Sequence, residues 1–236
     1  MQTTKTKNTV LIAAILLACG TITSLDAGAR ERGRSVHRTA HEGSVSAHRD
    51  NARFESERER NWQRDGEGNA SMERSGSITG AKGGSAERQG SIERSADGSL
   101  SHQASGSGTT ANGGTVESSG GFTRDADGNV NGSRNTTATG ANGATYNGST
   151  TWSNGQATHA GSVTGANGGT VEANGNYTRG DDGKVSGTRT TDATGARGAT
   201  YNGSTTIEDG KVTHTGTCTN AAGETVDCPS RSDGGQ

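Results

Sequence analysis

Ala111–Glu117 reads ANGGTVE, and Ala166–Glu172 repeats the same seven residues 55 positions later. The register holds around this match without a gap. Phe122 is answered by Tyr177, Arg124 by Arg179 and Gly128 by Gly183. GATYNGSTT at Gly143–Thr151 returns at Gly198–Thr206, and His159 returns as His214. A third copy begins at Thr215 and stops at Cys228, while TGAKGGS at Thr79–Ser85 echoes TGANGGT at Thr164–Thr170. Such self-similarity is the mark of a repeat architecture, in which each unit leans on the next.

A finer period runs inside each copy. Small turn-like pairs end at glycines from Gly68 to Gly223 in steps of 12 to 15 residues. Many are Asn-Gly or Asp-Gly, which accept the positive φ of a tight hairpin turn. The intervening segments hold about ten residues rich in Thr and Ser, with isolated Val, Tyr or Ile, and this spacing predicts β-hairpins in series. The fold expected is all-β, a repetitive antiparallel β-meander of about twelve short polar strands over 68–228, with regular copies over 108–228. Val171, Ala173, Gly175 and Tyr177 then share one face and Thr170, Glu172, Asn174, Asn176 and Thr178 the other. Folding back about Asp209-Gly210 sets Ile207 opposite Val212 and Thr205 opposite His214. Folding about Gly223 sets Cys218 opposite Cys228, just as Gly168 sets Val163 opposite Ala173. Recurrent Gly and β-branched Thr disfavour helix.

Composition limits how this sheet can be held. The chain has 236 residues, 25% hydrophobic and 3% aromatic, with 40 glycines and a net charge of −2. So few apolar side chains cannot offset the ordering of the backbone through a two-layer core. What remains is a thin sheet, a self-associating sheet, or a chain largely unfolded alone. The near-neutral balance gives no argument for nucleic acid, since no basic stripe interleaved with aromatics appears. An outer-membrane barrel has strands of this length, but faces such as Val171-Ala173-Gly175-Tyr177 are too weakly apolar for one.

Along the chain, Met1–Ala29 reads as a secretory signal: Lys5 and Lys7, the apolar run Val10–Ala18, and a small-residue site at Ala27-Gly28-Ala29. In a second reading Leu16-Leu17-Ala18-Cys19-Gly20 resembles the lipobox of bacterial lipoproteins. The signal would then end at 18, with Cys19 as the lipidated first residue and the only route to a membrane. Residues 30–67 are charged and expected to be disordered, with a transient helix around Asn51–Gln63. Residues 229–236 form a polar tail.

Cysteine spacing is the firmest chemical signal. With Cys19 in the signal, Cys218 and Cys228 remain, placed across one hairpin, and in an exported chain they predict a disulfide. Asp125-Ala126-Asp127-Gly128-Asn129 looks like the start of a calcium loop, but Thr136 stands where the closing Glu is needed, so a plain turn is expected. His37 and His41 lie four apart, yet no further ligand joins them. No nucleophile elbow, phosphate loop or zinc-spaced cluster appears. His159 and His214 recur with the architecture, as strand-face residues do. No catalytic residue, metal or cofactor is therefore expected.

The units TGANGGT and GATYNGSTT resemble the TG-x-x-G repeats of small exported bacterial proteins, over about Thr79–Cys228. The resemblance implies bacterial export and no particular activity. The function expected is that of an exported structural or interaction protein of the periplasm, cell envelope or extracellular matrix, self-associating or bound to envelope polymer. The alternative is a binding module presenting repeated Thr and Asn rows, such as Thr150, Thr151, Thr205 and Thr206, to a glycan or another repeating ligand.

Overall fold

Short segments between glycine turns can each reach only the segment before and the segment after. The computed structural model, which describes residues 31–180 and 182–228, realises this connectivity throughout. The first strands are β1 (Glu31–Arg38), β2 (Glu42–Asn51), β3 (Phe54–Arg64), β4 (Ala70–Gly80) and β5 (Ser85–Arg94). Next come β6 (Leu100–Thr109), β7 (Thr115–Arg124), β8 (Val130–Thr139), β9 (Thr145–Ser153) and β10 (Gln156–Thr164). The last are β11 (Thr170–Arg179), β12 (Val185–Thr194), β13 (Thr200–Glu208), β14 (Lys211–Thr219) and β15 (Thr225–Val226). All pair antiparallel in one open 15-stranded sheet whose spatial order is the sequence order. Each strand touches only its neighbours in sequence, the one-dimensional arrangement of repeat proteins.

Residues 68–228 supply β4 to β15, as many strands as the turn count predicts. The charged stretch at 30–67 is a correction. Described from Glu31, it is not disordered, and no helix forms near Asn51–Gln63. It adds β1, β2 and β3, with Glu31 paired to Asp50 and Asp50 to Glu55. The cause is visible in Glu55, Glu57 and Glu59, which alternate with Ser56, Arg58 and Arg60. The period of two is written there in charge sign rather than in hydropathy, and a strand needs only the period. The signal sequence, its Cys19, and the tail at 229–236 lie outside the described residues.

Two kinds of turn set the uneven steps. At Asn154-Gly155 and Asp209-Gly210 both residues have positive φ, 44° and 82° in the first and 50° and 77° in the second. These are the two-residue hairpin turns expected of such pairs. Most other turns have three-residue loops. Between Gly165 and Gly169 the Gly165 amide donates to the Gly169 carbonyl at 2.7 Å and the Gly168 amide to the Gly165 carbonyl at 2.9 Å. Gly168 closes this loop at φ 85°. The fold-back centre thus falls one residue before the glycine, which corrects the predicted register. Val163 pairs with Val171 rather than Ala173, and Cys218 pairs with Val226 rather than Cys228. The pairs Ile207 with Val212 and Thr205 with His214 form as predicted about the two-residue turn.

The sheet is one layer thick. Ala173 and Cys218 are its only buried hydrophobic residues among those described, at 7% and 8% exposure. Packing comes instead from aromatic rings lying on glycines of the same or adjacent strands. Trp152 covers its partner Gly132, Tyr201 covers Gly203 and Gly216, and Tyr177 covers Gly175 and Gly187. A side chain at Gly132 would occupy the space of the Trp152 ring, so these glycines serve close approach rather than turn geometry.

Candidate functional site: the two faces of the sheet

Residues paired across strands project from the same face, and the pairing therefore sorts every strand side chain into one of two surfaces. From Arg32 and Arg49 through Arg58 and Arg74 to Arg134 and Arg189, every strand arginine falls on one face. The aromatic residues and the exposed Val36, Ile78, Val163, Val171, Val185, Val212 and Val226 fall there too. Every strand carboxylate, from Glu31 to Glu208, projects from the other face, among Ser, Thr, Asn and Gln. We call these the basic and acidic faces.

Within each face like charges stand directly opposite each other. Arg32 pairs with Arg49 and Arg60 with Arg74. Glu31, Asp50 and Glu55 form one row across three strands, and Glu172 faces Asp192. Such placements cost stability, whereas an Arg opposite a Glu would gain it. Among the described strand arginines none is ion-paired to a carboxylate; the contacts seen include the imidazole–carboxylate approaches His37–Glu42 and His48–Glu57 and the ion pairs of Lys184 with Asp182 and Asp209. The arginines turn to neutral partners. Arg38 lies 5.9 Å from the centroid of the Trp62 ring, and Arg134 Nε donates to Ser118 Oγ at 3.4 Å.

Across β1–β8 the acidic face carries two adjoining open depressions of about 860 and 980 Å³. They share one cross-strand row: Glu59, Ser75, Gln89, Ser105, Ser119 and Asn135. Nearby, ligand atoms of His48, Glu55 and Glu57 lie within 4.8 Å of one another, two exposed glutamates and a half-buried imidazole. The alternation in Glu55-Ser56-Glu57 was the available signal for this grouping. His37 and His41, the pair considered from the sequence, separate instead: His37 ends in β1 beside Glu42, and His41 lies in the following turn.

The repeated hydroxyls divide between the faces. Thr150 and Thr205 lie on the basic face, where each bonds an imidazole: Thr150 Oγ1 to His159 Nδ1 and Thr205 Oγ1 to His214 Nδ1, both at 2.9 Å. Tyr201 Oη takes the other nitrogen of His214 at 2.8 Å. The described strand carboxylates are all on the opposite surface, so none of them completes these pairs as an acid would in a hydrolytic triad. Thr151 and Thr206 lie on the acidic face. There a longer array appears that single copies of the repeat conceal. Thr109, Thr115, Thr139 and Thr145 are paired in sequence, and the row continues unbroken through Thr164, Thr170, Thr194 and Thr200 to Thr219 and Thr225. Most of its members are exposed. Strand spacing sets them ~4.8 Å apart.

The predicted disulfide is formed. Cys218 and Cys228 are joined, with Cα atoms 5.1 Å apart and a sequence separation of 10. Cys218 is held in β14, and Cys228 lies just past the end of β15. The register error did not prevent the link, because the chain leaving β15 stays beside β14. At the Asp125 turn the carboxylate accepts from the Asn129 amide and from Asn129 Nδ2, both at 2.8 Å. The first of the calcium-like acids is thus a turn lock. No protein-family model matches the chain, and no curated protein or solved structure does either.

Proposed function

We propose that this chain is an exported structural or interaction protein of the bacterial envelope or extracellular matrix, acting through the two faces of its sheet without a catalytic step. The observation that carries the reading is the sorting of side chains. A single layer leaves both surfaces open, and each is uniform in charge sign over many strands. Large uniform surfaces suit extended partners rather than small substrates. Export is supported by the signal-like start of the sequence, and the Cys218–Cys228 bond is compatible with an oxidising compartment. Fractionating the native host and sequencing the mature N-terminus tests this. Cys19 carrying acyl chains or Arg30 as the first residue is expected; intact Met1 on cytosolic protein would sink the proposal.

A second reading rests on the threonine row from Thr109 to Thr225. Equally spaced hydroxyls on one face fit a binding module for a repeating ligand such as a glycan. Replacing Thr145, Thr170 and Thr194 by Val keeps shape and removes hydroxyls. Loss of pull-down on insoluble polysaccharide would favour this reading, and unchanged binding would remove it.

A further inference from the structure

We infer that the partner of each face is the opposite face of a second copy, so that the chain stacks face upon face in an open, head-to-tail array. The inference rests on the reading of the chain as an interaction protein and names the partner.

Charge, shape and size lead there. The basic face carries no strand carboxylate, so two basic faces laid together would leave every arginine without a counter-charge. Burying such groups unpaired is strongly unfavourable. Two acidic faces fail for the same reason. Whatever covers the basic face must therefore bring anions, and the acidic face brings them in quantity.

The charges also coincide by strand. Arginines are densest on β1–β5, where Arg58, Arg60 and Arg88 project from one side and Glu57, Glu59 and Glu87 from the other. Toward the C-terminus both thin together: β9 and β10 carry neither arginine nor carboxylate. A copy displaced along the sheet normal, without rotation, meets equal numbers of arginines and carboxylates on β3, β4 and β5, three, one and two of each.

Shape agrees as well. In a single layer the two faces are parallel surfaces, so any curvature on one is mirrored on the other. The two open depressions on the acidic face of β1–β8 offer space for basic-face side chains of a second copy. Size is sufficient: strands of about ten residues at ~3.3 Å rise, stepped ~4.8 Å, make β1–β5 alone a plate on the order of 600 Å². The full sheet offers severalfold more, against the ~800 Å² per partner of a standard stable interface. Stacking also shields Val36 and Ile78, which stand 47% and 44% exposed on the basic face. A translation that does not close gives an array rather than a dimer. Whole-chain charge supports stacking without self-repulsion, with 23 Lys and Arg against 25 Asp and Glu.

The test is sedimentation of the full chain with its disulfide intact, across salt, for the natural protein and two charge-inverted variants. One carries Arg58→Glu, Arg60→Glu and Arg88→Glu; the other carries Glu57→Arg, Glu59→Arg and Glu87→Arg. Low salt should give particles severalfold heavier than the monomer. Roughly 1 M salt, where screening acts within ~3 Å, should return the monomer. Each variant alone should stay monomeric at low salt, and an equal mixture should regain assembly, because across β3 and β5 one now carries an acidic patch on both faces and the other a basic patch on both. Should either variant misfold by circular dichroism, the salt series on the natural chain decides alone. A monomer at all salts, or assembly that grows with salt as apolar association does, overturns the stack. So does failure of two folded variants to co-assemble. Capture on phosphatidylglycerol vesicles by a chain that stays monomeric without them would assign the basic face to lipid instead. Binding to envelope polymer by a non-stacking chain would leave the proposed function standing and remove only this partner.

Discussion

β1–β5 and β9–β14 are built on the same plan from different residues. Both are antiparallel, with strands near ten residues and contacts only to neighbours. In β1–β5 the basic-face positions hold arginines, several directly opposed, with Trp62 over Gly43 as the aromatic cover. In β9–β14 they hold rings laid on glycines, with His159 and His214 bonded to threonines between them. The difference teaches that alternation and turn spacing suffice to specify this sheet, while the residues filling the slots decide what the surface is for. The two ends are guarded by different means too. β1 is fully exposed and charged, which discourages edge pairing, whereas β15 is two residues long and followed by the disulfide.

The largest effect that separates the regions should come from the disulfide. Replacing Cys218 and Cys228 together by Ser should cost ~2–3 kcal/mol of unfolding stability, as expected for a loop this short. Because each strand supports only its neighbours, the loss should stay local. Limited proteolysis should open Thr215–Cys228 first and leave β1–β5 protected as before. Simultaneous loosening of β1–β5 would show that the sheet melts as one unit.

Next comes the packing of rings on glycine. Gly203→Ala should destabilise by about 1–3 kcal/mol, because its Cβ collides with the hydroxyl and ring of Tyr201. Gly76→Ala in β4 meets no ring; its closest neighbour is the Glu57 carbonyl at 3.3 Å. It should change stability by under ~1 kcal/mol, part of the crowding being offset by the lower chain entropy of alanine. Denaturant midpoints of the two variants give the comparison, and equal losses would mean the rings contribute nothing.

How far these features could be read in advance follows from what a single strand can reveal. Alternation in Thr170–Thr178 fixed its faces, and the spacing of Asp209-Gly210 fixed the Ile207–Val212 pair. In turns such as Gly165–Gly169 the conspicuous residue is the glycine that ends the loop, whereas Asn167 is the midpoint; hence the two-residue difference at Cys228. β3 has no hydropathy signal, because hydropathy does not alternate in Glu55–Arg60, although charge does. The segregation of arginine from carboxylate across the whole sheet, and the row from Thr109 to Thr225, exist only once every register is known. Neither has a local signature.

A smaller effect tests the like-charge rows directly. In dilute monomer, opposed pairs such as Arg32–Arg49 and the row Glu31–Asp50–Glu55 repel by a few tenths of a kcal/mol per pair. Salt should therefore increase hydrogen-exchange protection of β1–β3 and leave β9–β10 unchanged. Uniform gain across the sheet would point to general salting-out rather than to these rows.

The smallest effect belongs to the turns. Asp125 titrates below the ordinary carboxylate range, first because Asn129 Nδ2 donates to it and then because the Asn129 amide does. Asp65 is lowered in the same way by Asn69, and Asp97 by the Ser99 amide. All three sit in loops joining β3 to β4, β5 to β6 and β7 to β8, at one end of the strands. The turn at Asn154-Gly155 holds no carboxylate. A group whose folded pKa is depressed contributes stability above its unfolded pKa and loses it as pH falls through the folded value. Acidification through and below the ordinary carboxylate range should therefore loosen the three aspartate turns, while Asn154-Gly155 stays unchanged. Carboxyl carbon shifts followed by nuclear magnetic resonance should show Asp125 titrating below the ordinary carboxylate range. Asn129→Ala, which keeps the backbone donor and removes the side-chain one, should move Asp125 part of the way back. A full return would assign the whole shift to the side chain, and no movement would mean that the Asn129 amide alone holds the turn.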